Sequence, residues 1–279
     1  MNDCEQDNCT GLSEEQMLTY ILYSIADSIN IVFCLPINVY VLRLIVIGER
    51  AMVVSDIFAL NLTVSDMLTC VASLMFILNN HINGPEVERG PLWNTATFFK
   101  SFILAGRPLF QCCICLERYL AVVHPVTFLM YKPLKYRLGC CAVIWLLLLG
   151  SCIAYLFAYK CSMDYFNLVL ILVLCSVMLF CCLAVLRVLK RPKPGDVEGD
   201  WEGTNNIKLR AFRIILAIVV SMVIQYLPQV LLLTTNDVTK IKSYDFGLSI
   251  SYSFIVITGF VQPLLYLHRA GKLPCIKGT

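Results

Sequence analysis

Four ionisable residues stand inside long runs of apolar sequence: Asp27, Asp66, Lys100 and Arg107. Hydrocarbon penalises a charge heavily, so such residues are kept where they pair, recognise a ligand or line a path. Two acids and two bases suit internal pairing. Covalent chemistry is poorly served by the same chain. Its three histidines, His81, His124 and His268, fall in separate segments and form neither a metal-binding set nor a nucleophile–base–acid set. The chain therefore reads as a non-enzyme, with no catalytic residues, no metal and no cofactor.

The elements that hold these charges must be membrane helices. Apolar residues make up 58% of the 279 and charged residues only 15%, with a mean hydropathy of +0.75. A soluble domain carries about a quarter charged residues. The net charge of +3 is too small to argue for a nucleic-acid partner; the partner that composition demands is a lipid bilayer. Apolar runs place spans at about 17–47, 52–79, 92–123, 137–159, 165–189, 211–234 and 246–267. Backbone groups in lipid must be satisfied within the segment, so the spans are helices, and the short alternating segments of a membrane barrel are missing. The expected fold is an all-α membrane protein, a seven-transmembrane helix bundle over 17–267, with a tail at 1–16 and a short tail at 268–279.

Lys and Arg set the orientation. One set of connections and helix ends holds Arg43, Arg50, Lys132, Lys135, Arg137, Arg187, Lys190, Arg191, Lys193, Lys208, Arg210, Arg213, Arg269, Lys272 and Lys277; the other holds Arg89, Lys160, Lys240 and Lys242. The first set is expected to be cytoplasmic, the acidic N-terminus extracellular and the C-terminus cytoplasmic. The start lacks the basic and short apolar segments of a cleaved signal peptide, so the first span is expected to act as its own targeting signal. Asn8-Cys9-Thr10 is a glycosylation sequon on the outer side, whereas Asn61-Leu62-Thr63 lies within a span and is expected to be unmodified. Most of the fifteen cysteines stand in apolar runs as small apolar residues. Cys275, beside Lys272 and Lys277, is a candidate for palmitoylation, a free thiol being the alternative. The connection 190–210, with Pro192, Pro194, Gly195 and Gly199, reads as a mobile loop.

The third span closes on Cys115-Leu116-Glu117-Arg118-Tyr119-Leu120-Ala121-Val122-Val123-His124-Pro125. This run resembles the Glu/Asp-Arg-Tyr motif of the rhodopsin-like (class A) G-protein-coupled receptors. Other landmarks of that family stand in order: Asn38 in the first span, Asn61-Leu62 and Asp66 in the second, Trp145 in the fourth, Pro228 in the sixth, and Gln262-Pro263-Leu264-Leu265-Tyr266 in the seventh, similar to Asn-Pro-x-x-Tyr. The resemblance covers almost the whole chain. Phe128-Leu129 and Tyr131-Lys132-Pro133 resemble the branch that holds purinergic and protease-activated receptors. The resemblance implies a plasma-membrane receptor that passes an extracellular ligand signal to a heterotrimeric G protein. Arg118 would be restrained by Glu117 at rest and would face the G protein once the sixth helix swings out about Pro228. Pro263 and Tyr266 would close the seventh helix, Tyr266 turning inward in the open state.

The family places a sodium ion beside the position of Asp66, completed by a small hydroxyl residue eleven positions before the motif arginine. Here that residue is Arg107. Eleven residues are about three turns, so Arg107 shares a face with Arg118. We expect Arg107 to point at Asp66 as a built-in cation; the alternative is contact with backbone carbonyls or water alone. Asn38 and Gln262 belong to the same polar site. Lys100, eighteen residues or about five turns before Arg118, also faces inward. It either meets an anionic ligand group or pairs with Asp27. His81, Tyr226, Gln229 and Tyr252 are further pocket candidates, each equally well explained as packing.

Several positions depart from the family. Trp93 stands where most members have a cysteine at the outer end of the third helix, and Cys161 is left for Cys4, Cys9 or no partner. The loop between the fourth and fifth spans, Lys160 to Asp164, is too short for a lid. The fifth span has no Pro and no Tyr in its inner half, and the sixth has Gln225-Tyr226-Leu227-Pro228 where Cys-Trp-x-Pro is usual. A receptor that binds a ligand or partner without efficient coupling is therefore the second reading. A transporter is a third, disfavoured by the lack of an internal repeat.

Overall fold

The computed structural model describes residues 14–47, 56–84, 90–157, 160–190, 198–235 and 241–269. Asn8, Cys275, Cys4, Cys9 and the side chain of Cys161 lie outside the described residues. The first span is α1 (Glu14–Ile29), a π-helical turn (Asn30–Cys34) and α2 (Leu35–Ile47). The second is α3 (Ile57–Asn83) and the third α4 (Pro91–Val123). A short helix α5 (Pro125–Tyr131) leads to the fourth span, α6 (Leu134–Phe157). The fifth is α7 (Lys160–Lys190), the sixth α8 (Glu198–Thr235), and the seventh α9 (Ile241–Thr258) followed by α10 (Val261–Arg269). Seven of these stretches are long and apolar enough to cross a membrane. Large apolar side chains such as Val46, Leu146 and Phe180 are exposed on their outer faces, which suits lipid and not water.

Proline shapes the first and last spans. Pro36 has no N–H for the carbonyl four residues back, and its ring crowds that carbonyl. The chain answers with the π turn, and the Leu35 N–H bonds the Asn30 carbonyl instead. The seventh span is interrupted outright at Gly259-Phe260, just before Pro263. There the Gly259 N–H is shared between the Ile255 and Val256 carbonyls at 3.1 and 3.0 Å. Pro108 and Pro228, by contrast, lie inside continuous helices.

The third span is the centre of the bundle, packing against the second, fourth, fifth and sixth. The first span closes the ring against the second and the seventh. One core joins the third, fifth, sixth and seventh spans through residues such as Cys115, Met178, Met222 and Ile255; another joins the second, third and fourth through Leu62, Phe110 and Leu148. Gly106 allows the close approach in the second core, because a Cβ there would lie 2.8 Å from Ser65 Oγ and 3.3 Å from a Leu148 methyl.

Two expected loops are helical. The sixth-span helix starts at Glu198, inside the connection read as a loop over 190–210, and takes up Gly199. The fifth-span helix starts at Lys160, so 160–164 is helix and not loop.

Candidate functional site: a polar column inside the bundle

The Arg107 side chain crosses from the third helix to the second and seventh. Its Nε and Nη2 donate to Asp66 Oδ1 at 2.9 and 2.8 Å, and its Nη1 donates to the Ile255 carbonyl at 2.8 Å. Both side chains are almost fully buried, 3% and 4% exposed. The same carbonyl also accepts the Gly259 N–H at 3.1 Å and the Thr258 hydroxyl at 3.2 Å, so Arg107 shares it one turn ahead of the break. Gly259 is what admits the guanidinium, since a Cβ there would lie 2.9 and 3.1 Å from its two terminal nitrogens. A sodium ion beside Asp66 would meet the charge of a guanidinium already bonded to the same carboxylate. The residues present do not fit an ion there.

A second buried carboxylate, Asp27, takes neutral donors: Ser73 Oγ at 2.8 Å and Tyr252 Oη at 2.7 Å. Asn30 Nδ2 donates to Ser73 Oγ at 2.9 Å, and Cys70 Sγ lies 3.5 Å from Asn30 Oδ1. This network ties the first, second and seventh spans. It is carried by the π turn, which holds Asn30. Lys100 meets the other side of the same tyrosine. Its Nζ lies 3.8 Å from the Tyr252 ring centre and 4.5 Å from those of Tyr23 and Phe76. Asp27 and Lys100 are thus joined through Tyr252, one at its hydroxyl and one at its ring.

Toward the other end of the third helix, Asp66 and Arg118 line one cavity of about 50 Å³ together with Asn38, Gln262, Pro263 and Tyr266. Asn38 donates to the Cys34 carbonyl at 2.9 Å, while its Oδ1 and the Gln262 Nε2 have no partner among the described residues. A cavity of this size with such a lining suits water. Tyr266 packs on Val41 and Ile45 of the first span. Glu117 forms an ion pair with Arg137 of the fourth helix at 3.2 Å. Arg137 also stacks on Phe128 at 5.8 Å. Tyr119 and His124 share a hydrogen bond of 3.1 Å.

The remaining candidates are spread more widely. Tyr226 and Gln229 are buried on the sixth helix, near Pro228, and Tyr226 belongs to the core that includes Tyr252. His81 is exposed at the end of the second helix. Asn61 and Trp145, separate landmarks in the sequence, meet through a hydrogen bond of 2.7 Å from the indole N–H. Sequence reasoning does not find Gly259, Ser73, Tyr23, Phe76 or Arg137. None carries a local signal beyond its type, although Gly259 stands four residues before Pro263, the place where a helix break falls.

The sequence matches the pattern of the family described as "7 transmembrane receptor (rhodopsin family)" over residues 37–266. Among curated proteins it is 27% identical to a type 3 purinoceptor of Meleagris gallopavo over 151 residues, 53% of this chain and 44% of that protein. It is 21% identical to the human C-C chemokine receptor type 8 over 274 residues, 89% of this chain and 72% of that one. The human proteinase-activated receptor 3 is 32% identical over 114 residues, 39% of this chain and 29% of that one. The match spans less than half the length of the purinoceptor. These likenesses are distant and partial, and they single out no branch.

Proposed function

This chain belongs to the rhodopsin family of seven-transmembrane receptors, and from that premise we propose that it carries an extracellular ligand signal to a heterotrimeric G protein. It is a multi-pass protein of the plasma membrane, in a family of receptors and not of enzymes. The proposed orientation puts Glu117, Arg118 and Tyr119 on the cytoplasmic side, since the Lys- and Arg-rich connections lie there. Arg118 is the residue that would engage the G protein, and Pro228 the point about which the sixth helix would move. The observation that carries this reading is that Arg118, Tyr266 and Asp66 line one cavity at the foot of the third helix. Groups facing a shared cavity can exchange partners when helices move, which a close-packed apolar core does not allow.

The relatives' names point to a purine, a chemokine and a proteinase, and so to no common ligand. We place the chain beside the purinergic and protease-activated branch on Phe128-Leu129 and Tyr131-Lys132-Pro133. For the ligand we favour an anionic group, the chemistry able to draw the Lys100 ammonium away from its three rings. Tyr252, Tyr226 and Gln229 would be the neighbouring polar contacts, with Asp27 holding the Tyr252 hydroxyl from behind and His81 nearer the end of its helix.

A receptor that binds without efficient coupling is the second reading. It is favoured by the fifth helix, which lacks Pro and an inner Tyr, and by the sixth, which has Gln225-Tyr226-Leu227-Pro228 where Cys-Trp-x-Pro is usual. Basal G-protein activation in cells separates the two, comparing wild type with Arg118→Ala and Arg107→Ser at matched surface expression. A wild-type signal lost in Arg118→Ala supports coupling. A wild type silent with every G-protein class and across a panel of anionic ligands overturns it in favour of the second reading.

A further inference from the structure

We propose that the Lys100 end of the bundle contains a binding site for an organic ammonium group, and that the chain occupies this site with its own Lys100 side chain. Three rings from three different spans converge on one nitrogen: Tyr23 of the first, Phe76 of the second and Tyr252 of the seventh, with centres 4.5, 4.5 and 3.8 Å from Nζ. The face of an aromatic ring carries partial negative charge, and rings gathered around a single cation form the cage by which proteins hold alkylammonium ligands. Rings brought together by packing alone have no reason to converge on one nitrogen.

The walls of the cage are fixed by contacts that do not involve Lys100. Tyr252 is anchored by its hydroxyl on Asp27 at 2.7 Å, and Ser73 holds that carboxylate from the other side at 2.8 Å. Tyr23 packs on Tyr252 with ring centres 5.6 Å apart, and Phe76 meets Trp93 edge-on at 5.0 Å. A preformed cage with a carboxylate behind its wall favours any ammonium of the right size over a neutral group of the same shape. The occupant arrives on the third helix, so it also ties that helix to the first, second and seventh.

The ligand class follows from the occupant. Truncation of Lys100 at Cβ vacates the space from Cγ to Nζ, which n-propylammonium matches atom for atom. Thermal unfolding of the purified full chain, in wild type, Lys100→Ala and Lys100→Met, tests the site independently of any signalling. Lys100→Ala should melt below wild type. n-Propylammonium chloride should restore it saturably, with half the effect on the order of 1–10 mM for so small a ligand. Neither wild type nor Lys100→Met, whose cages are filled, should respond, and 1-propanol, the neutral isostere, should not restore Lys100→Ala. Equal rescue by 1-propanol, or no rescue of a folded Lys100→Ala, overturns the proposal. Should Lys100→Ala fail to fold, Lys100→Met decides: it keeps the bulk and removes the charge, so a midpoint below wild type supports the cage and an unchanged midpoint overturns it.

Discussion

Arg107 and Asp66 hold each other where neither would be tolerated alone. Removing one leaves the other charged and buried, so Asp66→Leu or Arg107→Met singly should cost about 3–5 kcal/mol of stability. The double change should recover most of that loss, because two apolar side chains replace the pair without leaving a lone charge. Denaturant unfolding of the purified protein measures both, and a double variant as unstable as the sum of the singles would refute the pairing as the cause. Spacing makes the direction legible, since Arg107 is three turns from Arg118 and so points inward, and the family resemblance implies Asp66 as what it meets there. The third contact of Arg107, the Ile255 carbonyl at 2.8 Å, is not legible, because it depends on how the seventh helix lies beside the third. For Lys100 the spacing leaves a ligand and Asp27 as equal partners. Its ammonium in fact lies over the Tyr252 ring while Asp27 takes the Tyr252 hydroxyl, an arrangement that requires the positions of three helices.

Helix irregularities build the polar contacts of this bundle. The π turn before Pro36 carries Asn30 into the network with Ser73 and Cys70, and the Ile255 carbonyl that Arg107 reaches lies one turn before the break at Gly259-Phe260. Gly259, at that break, is the residue that leaves room for the guanidinium. Gly259→Ala would set a Cβ 2.9 Å from both Arg107 Nη2 and the Val256 carbonyl oxygen, and should destabilise by about 1–3 kcal/mol through overpacking. Gly150→Ala is the matched control. Nothing lies within 4 Å of a Cβ there, so the gain in helix propensity should leave stability unchanged or raise it by up to about 1 kcal/mol. Unfolding midpoints of the two variants should therefore move apart. Proline positions are readable in the sequence, yet local propensity alone misjudges 190–210 and 160–164, where glycine and a short connection suggest loops. Helix enters both as an extension of the adjoining span, since adding a residue to an existing helix costs far less than nucleating one.

Across the whole molecule the seventh span contributes at every depth: Tyr252 to Lys100 and Asp27, Ile255 to Arg107, Gln262 and Tyr266 to the cavity shared with Arg118. A shift of this span changes all three layers at once, which is the mechanical basis we propose for passing a signal from end to end. The fixed cation in the middle layer has a measurable consequence. Wild-type protein should melt at the same temperature in sodium chloride and in choline chloride at equal ionic strength. Arg107→Ser, which restores a small hydroxyl residue and releases Asp66, should gain a stabilisation specific to sodium. A sodium-specific rise in the wild type would contradict the built-in cation.

The sequence by itself determined the class of molecule and which residues face the interior. Apolar run length demands helices, because lipid offers the backbone no partner. Helical period determined that Arg107, Lys100 and Arg118 share a face. The order of Asn38, Asp66, Glu117-Arg118-Tyr119, Pro228 and Pro263 determined the family resemblance. Tertiary structure alone decided which partners those residues take. The pairing of Glu117 with Arg137, of Trp145 with Asn61, and of Lys100 with three rings joins residues from separate helices. Periodicity specifies the direction in which a side chain points, whereas the crossing and sliding of packed helices specify what it meets.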